Sequence, residues 1–565
     1  MAPRGPQSVP KVDVVIAGLG PTGLVLAHVL GKRGHDVIVL EREPKFYGNA
    51  RAVYTDDECM RVFQSIGVAD ELGADMLVDT PVQLCRPDGT PMAQLRGTER
   101  PFGWPVVNFF YQPYMETKLA ALLKRYSNVE VLRGRQLTGF SQSDTWVTVR
   151  HEATREVRST DTGDATKVRS VDTDRQMIRA RFVVGADGGR STVREILGIE
   201  MTGKSFPEPW LVVDLKCKNG AASLRHLPYF NFFCDPECPA VSCPQPDGHH
   251  RFEFRLRPGQ TKEHMERPET VRQYLSKYVD PDQFEVKRRL VYTFNALMAE
   301  SWRDGHVFLA GDAAHMTPQF MGQGASSGIR DAFNLGWKMS AVLRGHASDS
   351  MLDTYESERR GHAKSMIDVS VLMKDVVSLS NPAKAALRDL ALKSVRRVPG
   401  LRTWFEEARF RPKPVYQRGG YLGLPRKRRN GPEGAMAPQP EVRTLDGRRV
   451  LLDEVLGDGF SLVGQDVDPR LGLSDDARAS LDALGTRYVR LCTYGNRPQG
   501  DTARAGRTGL LEVEEMTGDM LEWFKKAGFP KAGVALIRPD GFAFGLVQAD
   551  HVDQAVAALQ RQLHR

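Results

Sequence analysis

Cysteine is scarce in this chain, with seven in 565 residues and an odd count. That number gives no disulfide framework and excludes the small secreted scaffolds that depend on one. Long hydrophobic runs are missing as well: no segment reaches the ~18 uninterrupted apolar residues of a membrane span. The Pro-rich start, Met1 to Pro10, has no cleavable apolar core, so a cytoplasmic protein without a membrane partner is expected. Charge of one sign is not gathered into a patch. The net charge is +8, spread along the chain, and the one dense run is Arg426-Lys427-Arg428-Arg429. That run sits among Pro and Gly and reads as a solvated loop, so no nucleic-acid partner is expected. What remains is a globular composition, 41% hydrophobic and 26% charged, on a chain long enough for several domains.

Residues 11 to 42 read as strand, glycine turn, helix, strand. Val12–Ala17 is an apolar run suited to a buried parallel strand, Leu24, Ala27 and Leu30 recur at helical spacing, and Val37–Leu40 is a second strand. Strands are expected at Asn128–Leu132, Trp146–Arg150 and Arg181–Gly185, with residues 151–178 as an exposed excursion from a hairpin. From 207 to 295 the pattern becomes strand-rich (Trp210–Leu215, Pro228–Phe233, His250–Leu256, Glu285–Thr293), as in an antiparallel sheet with a helix near 268–279. Val307–Ala310 returns to a parallel-type strand, and helices follow from 323 to about 400. Pro, Gly, Arg and Lys mark a linker at 410–440. The tail from 441 has strands at Ser461–Val463, Tyr488–Cys492 and Val534–Ile537, a last helix from His551, and the look of a separate small α/β domain.

Gly18-Leu19-Gly20-Pro21-Thr22-Gly23 lies between the first strand and helix. In such a turn the first glycine permits the tight bend, the second admits a pyrophosphate to the backbone, and the third lets helix pack on strand. The helix N-terminus adds N–H donors and partial positive charge. Glu41 ends the second strand about 20 residues on, where a ribose ligand belongs. Arg42 either packs over an adenine or is a surface residue. FAD and NAD both fit this unit. Two further segments bear on the choice: Val184-Gly185-Ala186-Asp187-Gly188-Gly189-Arg190-Ser191, and Gly311-Asp312-Ala313-Ala314-His315 followed by Pro318 and Gly322-Gln323-Gly324-Ala325-Ser326.

In this order and spacing the three motifs resemble the single-component flavin aromatic hydroxylases built like p-hydroxybenzoate hydroxylase. The resemblance spans residues 11 to about 400. The run Gly322–Lys338, with Glu208–Asp214, Arg51-Ala52-Val53 and Asp56-Asp57-Glu58, is most similar to the 3-(3-hydroxyphenyl)propionate hydroxylase branch. The resemblance implies an α/β fold: a Rossmann-like FAD-binding domain, an inserted antiparallel-sheet substrate domain, and a C-terminal thioredoxin-like domain. The expected division is 1–80, 101–206 and 296–405 for FAD, 81–100 and 207–295 for substrate, 406–440 as linker and 441–565 as the tail. It further implies FAD, NADH or NADPH as reductant, O2 as co-substrate, and transfer of a hydroxyl from the flavin C4a position to a phenolic ring. A hydroxyphenyl acid hydroxylated ortho is the expected substrate, with a larger phenolic polyketide or antibiotic as the alternative. Relatives are commonly dimeric, so a homodimer is the partner to expect.

The same resemblance gives roles to residues. Asp312 would accept from ribityl hydroxyls beside Gly311, and the amides from Gln323 to Ser327 would face the flavin pyrimidine, where reduced flavin is anionic. Asp187 and Gly188 would organise the pyrophosphate region, Arg51 and Gln112 would contact the cofactor, and Pro318 would lie against the isoalloxazine. Tyr292 and His315 are candidates for the base that ionises the phenol, each with a structural role as the alternative. Arg251 and Phe252 are the candidate substrate contacts, although Arg251 and Arg255, alternating with Glu253, equally fit a cross-strand ion pair.

Other readings meet specific absences. Cys234, Cys238, Cys243, His249 and His250 have no common zinc spacing, so no metal is expected. A disulfide-reductase flavoenzyme needs a redox Cys pair after the first glycine motif and a second full dinucleotide fingerprint; a flavin halogenase needs a Trp-x-Trp-x-Ile-Pro segment. None is present. The tail has Cys492 alone and no Cys-x-x-Cys. A non-catalytic FAD-bound scaffold has nothing in its favour, since every cofactor motif is intact.

Overall fold

A computed structural model describes residues 9–46, 48, 50–158, 166–220, 224–420, 431–496 and 509–564, with backbone only at 155–158 and 166–173. The Arg426–Arg429 run lies outside the described residues.

The strand Lys11–Ala17 enters the centre of an eight-stranded sheet, where it pairs in parallel with Val37–Glu41 and with Thr166–Gly185. Val129–Arg133 and Val307–Leu309 extend the parallel set on either side. Val14, Val15, Ile16 and Val39 are wholly buried, as expected of parallel strands covered on both faces. The helix Pro21–Lys32 is buried from Gly23 through Gly31, so it reads apolar all round rather than as a stripe. It packs on the helix Gln323–Leu343, where a methyl on Gly336 would lie 2.6 Å from Val29.

The excursion expected at 151–178 is, where it is described, an extension of the hairpin itself, a ladder with one irregularity between Glu152 and Thr154. Val147–Arg158 pairs antiparallel with Thr166–Gly185 as far as Arg158 and Thr166, so the short strand expected at Arg181–Gly185 is the end of a 20-residue strand. Backbone pairing needs no apolar face, and β-branched residues support it in polar sequence.

A seven-stranded sheet carries, in order, Phe284–Tyr292, Trp210–Cys217, His249–Arg255, Ala240–Pro244, Phe230–Phe233, Val82–Cys85 and Pro91–Leu95. All its pairs are antiparallel except Phe230–Phe233 with Val82–Cys85. The helix expected near 268–279 spans Pro268–Leu275. One face packs Leu211, Val213, Phe252 and Phe254 against that helix; the opposite face fronts the cavity described below. A small antiparallel sheet of Met201–Ser205, Asn295–Ala299 and His315–Met316, not expected from sequence, joins this region to the loop that follows Val307–Leu309.

The tail forms its own seven-stranded sheet. Ser461–Gln465, Arg487–Cys492 and Leu510–Glu515 run parallel, and Gly533–Ile537 and Ala543–Gln548 continue antiparallel. The segment read as linker packs where it is described: Tyr416 is buried and stacks on Phe542, ring centroids 4.0 Å apart. Among the described residues no helix is long and apolar enough to cross a membrane.

Candidate active site

A cavity of about 580 Å³ runs from the first glycine turn to the seven-stranded sheet. Its nucleotide end is lined by Gly18, Gly20, Pro21, Thr22, Glu41, Arg42, Asp187 and Gly188. Gly18 has φ +103°, and a methyl there would meet Ala186 O at 2.4 Å. Gly23 is behind the wall, where a methyl would lie 2.0 Å from Gly18 O, so its smallness serves helix–strand contact. Gly20 differs from both. A Cβ built there meets nothing within 4 Å. The open side of the turn therefore faces the cavity, and the helix begins at Pro21 with no side-chain cap on its N–H donors. Glu41 accepts from Leu19 N and Glu43 N, both at 2.8 Å, which fixes its carboxylate at the strand end. Arg42 is half-exposed, with Nε 3.5 Å from Glu43. Asp187 caps the helix Thr192–Ile196 through Ser191 (2.5 Å) and Val193 N (3.1 Å).

The central stretch is lined by Arg51, Gln112, Asp312, Gly322, Gly324 and Ala325. Gln112 Oε1 accepts from Arg51 N and Ala52 N, both at 2.6 Å, while its amide donates to Glu116 at 2.6 Å. Its side chain thus holds the Arg51 loop in place. Asp312 opens onto the cavity while protein surrounds it, and that desolvation pushes its carboxyl up, with His315 and Arg51 opposing. No donor from the described residues reaches the Asp312 carboxylate, so it is an acceptor presented to a guest. Gly311 turns the chain at φ +62° against Thr22. Gln323 and Ser326 are buried side chains off the cavity: Gln323 bonds Asp56 and Arg330, and Cys59 donates to the carbonyl of Ser326. Only their helix, uncapped at Gly322, addresses the cavity.

The sheet end brings together Arg251, Glu253, Arg288 and Tyr292 with Phe230, Phe232 and Phe294. Arg251 makes the cross-strand ion pair with Asp214 (2.6 Å) and donates to the carbonyls of Arg51 and Ala50. Phe252, expected at the substrate, is on the opposite face in the core, because adjacent strand residues point to opposite sides. Tyr292 donates to Gln319 Oε1, and Gln319 Nε2 donates to Glu253. Burial, reinforced by Glu253, pushes the Tyr292 phenol up, so it is no base near neutral pH. His315, unlike Tyr292, does not line the cavity. It is fully buried, its Nε2 is 2.6 Å from Asp331, and Asp331 also takes Gly311 N and Arg359. It holds the Gly311 loop from behind. Pro318 is buried between Thr317 and Gln319, which do line the cavity.

Sequence reasoning missed Glu253 and Gln319. Burial pushes Glu253 up to about 7, with Asp214 adding to the rise and Arg251 and Arg288 opposing it. Glu116, beside Gln112, is likewise pushed up to about 7 by burial. The seven cysteines are all buried thiols, and among the described residues no cluster of His, Cys, Asp and Glu could hold a metal.

The family comparisons agree with this geometry. Residues 11–370 match the FAD binding domain family, and residues 434–562 match the HcaD C-terminal domain. The chain is 37% identical over 533 residues to a 3-(3-hydroxy-phenyl)propionate/3-hydroxycinnamic acid hydroxylase of Escherichia coli O81 (strain ED1a), covering 94% of this chain and 91% of that one. A second hydroxylase of that name, from Burkholderia vietnamiensis, is 36% identical over 97% of this chain and 96% of its own. Aklavinone-11 hydroxylase, solved with FAD and aklavinone, superposes with a TM-score of 0.75 at 25% identity, over 99% of this chain and 100% of that one. With the glycine turn, the unpaired Asp312 and the continuous cavity already in place, this chain belongs to the FAD binding domain family and is an FAD-dependent aromatic-ring monooxygenase.

Proposed function

We propose that the enzyme hydroxylates a small phenolic acid, 3-(3-hydroxyphenyl)propionate or a close hydroxyphenyl relative, ortho to the existing hydroxyl, using NADH or NADPH and O2. The observation that carries the reading is the single cavity joining a dinucleotide turn to an aromatic sheet face. Relatives named for that substrate, 36–37% identical over nearly the whole chain, support the substrate class.

When bound, FAD supplies the redox chemistry, taking hydride from the nicotinamide and activating oxygen for the ring. The chain's own residues bind, orient and shield. Gly20 gives the pyrophosphate access to the uncapped N–H donors at Thr22 and beyond. Glu41 and Asp312 are acceptors for ribose and ribityl hydroxyls, and Asp312 suits this because none of the described residues competes for it. The uncapped start of Gln323–Leu343 places a partial positive charge beside Gly324 and Ala325, which favours an anionic ring there. Phe230, Phe232 and Phe294 wall the ring site and exclude water, which keeps activated oxygen from being lost as peroxide. The 441–565 region is read as a thioredoxin-like unit without redox function. Its three parallel strands continued by two antiparallel ones support the fold, and Cys492 supports the inactivity, being buried with its thiol pushed up to about 11.

The test is NADH oxidation by the purified yellow protein with and without 3-(3-hydroxyphenyl)propionate, with peroxide trapped and product identified. Strong stimulation with a dihydroxyphenyl product is expected. Stimulation that yields only peroxide would move the substrate to a larger phenol. Absence of bound flavin would overturn the reading.

A further inference from the structure

A phenol attacks as an oxygen-bearing ring best when ionised, and with a pKa of about 10 only about one molecule in a thousand is ionised at pH 7. Some group in the cavity has to take that proton. Tyr292 has its hydrogen committed to Gln319, and His315 is behind the wall.

We propose that Glu253 takes the proton from the substrate's phenolic hydroxyl, with Gln319 and Tyr292 as positioning residues that fix its carboxylate at the ring site. The inference rests on the hydroxylase reading above. Glu253 is 5% exposed, and what exposure it has is to the cavity it lines. Its Oε2 accepts from Gln319 Nε2. Its Oε1 accepts from none of the described residues, which leaves one carboxylate oxygen for a guest. The amide orientation of Gln319 follows from its neighbours: an ionised carboxylate only accepts, so the NH2 must face Glu253, and the carbonyl is left to take the Tyr292 hydroxyl. An amide in that arrangement orients the carboxylate but passes no proton along. Tyr292 keeps its oxygen lone pairs for the substrate hydroxyl or a neighbouring group.

The surrounding charges suit the transfer. Arg251 is two residues away on the same face of the strand, Asp214 comes from the adjoining Trp210–Cys217, Cys243 from the adjoining Ala240–Pro244, and Arg288 and Tyr292 from Phe284–Tyr292 one strand further across the sheet. The Cys243 thiol is pushed well up by burial and stays neutral. The two guanidiniums stabilise a phenolate beside them, and Asp214, which pairs with both, keeps them from holding Glu253 strongly acidic. A carboxyl at about 7 is ionised often enough to accept and is a far stronger base than an ordinary carboxylate, and the two guanidiniums, by stabilising the phenolate, narrow the remaining gap to the phenol. In the step, the substrate O–H bond breaks, the proton goes to Glu253 Oε1, and the electron pair stays on the phenol oxygen. The carboxylic acid returns the proton when the product hydroxyl re-forms, so the chain ends as it began.

The experiment uses the FAD-loaded enzyme with 3-(3-hydroxyphenyl)propionate and with ring-fluorinated phenols of greater acidity, measuring product over pH 5.5 to 9. In the unsubstituted enzyme, kcat should fall on the acid side of about 7, and that limb should stay in place as the phenol becomes more acidic. Glu253→Gln should lower kcat by about 10²- to 10³-fold, with KM and FAD content little changed, and the deficit should shrink as substrate acidity rises. A purely structural role would produce the same deficit for every phenol. An acid limb that moves with the phenol's own pKa, or a Glu253→Gln variant within threefold of the parent, overturns the assignment. The first of these outcomes needs no variant and so survives a folding failure. If the unsubstituted enzyme hydroxylates no phenol at all, the functional reading falls first, and the two failures are told apart.

Discussion

Gly20 and Gly23 share one motif, yet the structure gives them separable roles. At Gly20 the backbone is extended (φ −75°, ψ −175°) and a methyl would enter open space, so alanine suits the protein alone. Gly→Ala at a compatible position stabilises by about 0.4–1 kcal/mol through the unfolded chain. That methyl would occupy the approach to the turn's N–H donors. Loss of one hydrogen bond to a charged group costs about 1.5–3 kcal/mol, so Gly20→Ala should weaken FAD binding about 10- to 150-fold. At Gly23 a methyl would sit 2.0 Å from the Gly18 carbonyl oxygen, and backbone must move to admit it. Overpacking of that kind costs about 1–3 kcal/mol or more. The assay is flavin fluorescence titration of apoprotein, paired with thermal unfolding of the same apoprotein. The expected pattern is unchanged or raised apo Tm with weak FAD for Gly20→Ala, and lowered apo Tm with weak FAD for Gly23→Ala. Equal losses of apo Tm, or normal FAD affinity in Gly20→Ala, would refute the assignment of the open side of the turn to the pyrophosphate.

Asp312→Asn removes a desolvated charge but leaves an acceptor. Apoprotein should gain stability while FAD binding weakens by about 1 kcal/mol, the difference between charged and neutral hydrogen bonds, read by the same pair of measurements. For Glu253 the carboxyl is raised, from 4.5 to about 7, so its contribution to stability is fully present below pH 4.5 and is lost as pH rises through 7. The cost of ionising it in the fold is about 3 kcal/mol; Glu253→Gln should therefore flatten the pH dependence of Tm over that window and exceed the parent at pH 8. Arg538 bonds both oxygens of the fully buried Glu358 at 2.8 Å and Asp540 at 2.6 Å. Arg538→Met strands part of that charge and should cost about 3–5 kcal/mol, measured as a fall in Tm and earlier loss of the 441–565 region to protease.

The parts of the fold legible in sequence are those whose burial is symmetric. Val12–Ala17 and Val37–Leu40 are covered on both faces, so they read as continuous apolar runs, and the glycine turn between them is fixed by contacts a few residues apart. Ala240–Pro244 was missed because Ala-Val-Ser-Cys-Pro, with prolines on both sides, lacks a strand's usual signal, although all five residues are buried. In His249–Arg255 the alternation was legible while the side facing the ligand was not. Period two forbids Arg251 and Phe252 from sharing a face, and the aromatic pair Phe252 and Phe254 belongs to the core, which assigns Arg251 and Glu253 to the cavity. The partners of His315 and Glu253 were beyond reach, since Asp331 and Gln319 approach them only through tertiary packing.

Two of the segments that carried the likeness to the hydroxyphenylpropionate branch, Asp56-Asp57-Glu58 and the Gly322–Lys338 run, meet each other in the fold. Asp56 caps the helix Asp57–Ser65 and, with Glu58, holds Arg330 at 2.5 and 2.6 Å, while Arg411 lies 3.3 to 3.5 Å from all three acids. Three carboxyls against two guanidiniums leave one negative charge in excess inside the protein. It surfaces as Asp57, which burial and its acidic neighbours push up to about 7, while Arg330 and Arg411 hold Asp56 well below the usual carboxylate range. A proton on Asp57 near neutral pH therefore balances the cluster without a further cation. Arg330 and Gln323, the two residues Asp56 grips from that helix, belong to Gln323–Leu343, whose first turn lines the cavity at Gly324 and Ala325. The cluster thus sets where the uncapped amides point, and Arg411 ties the chain that follows the helix Pro399–Glu406 to the same place. Removing either guanidinium would leave buried carboxylates unmatched, so the charges of the cluster depend on one another. On the reading proposed above, that cluster would hold the helix N-terminus still beside the flavin ring, whichever phenol the sheet face admits.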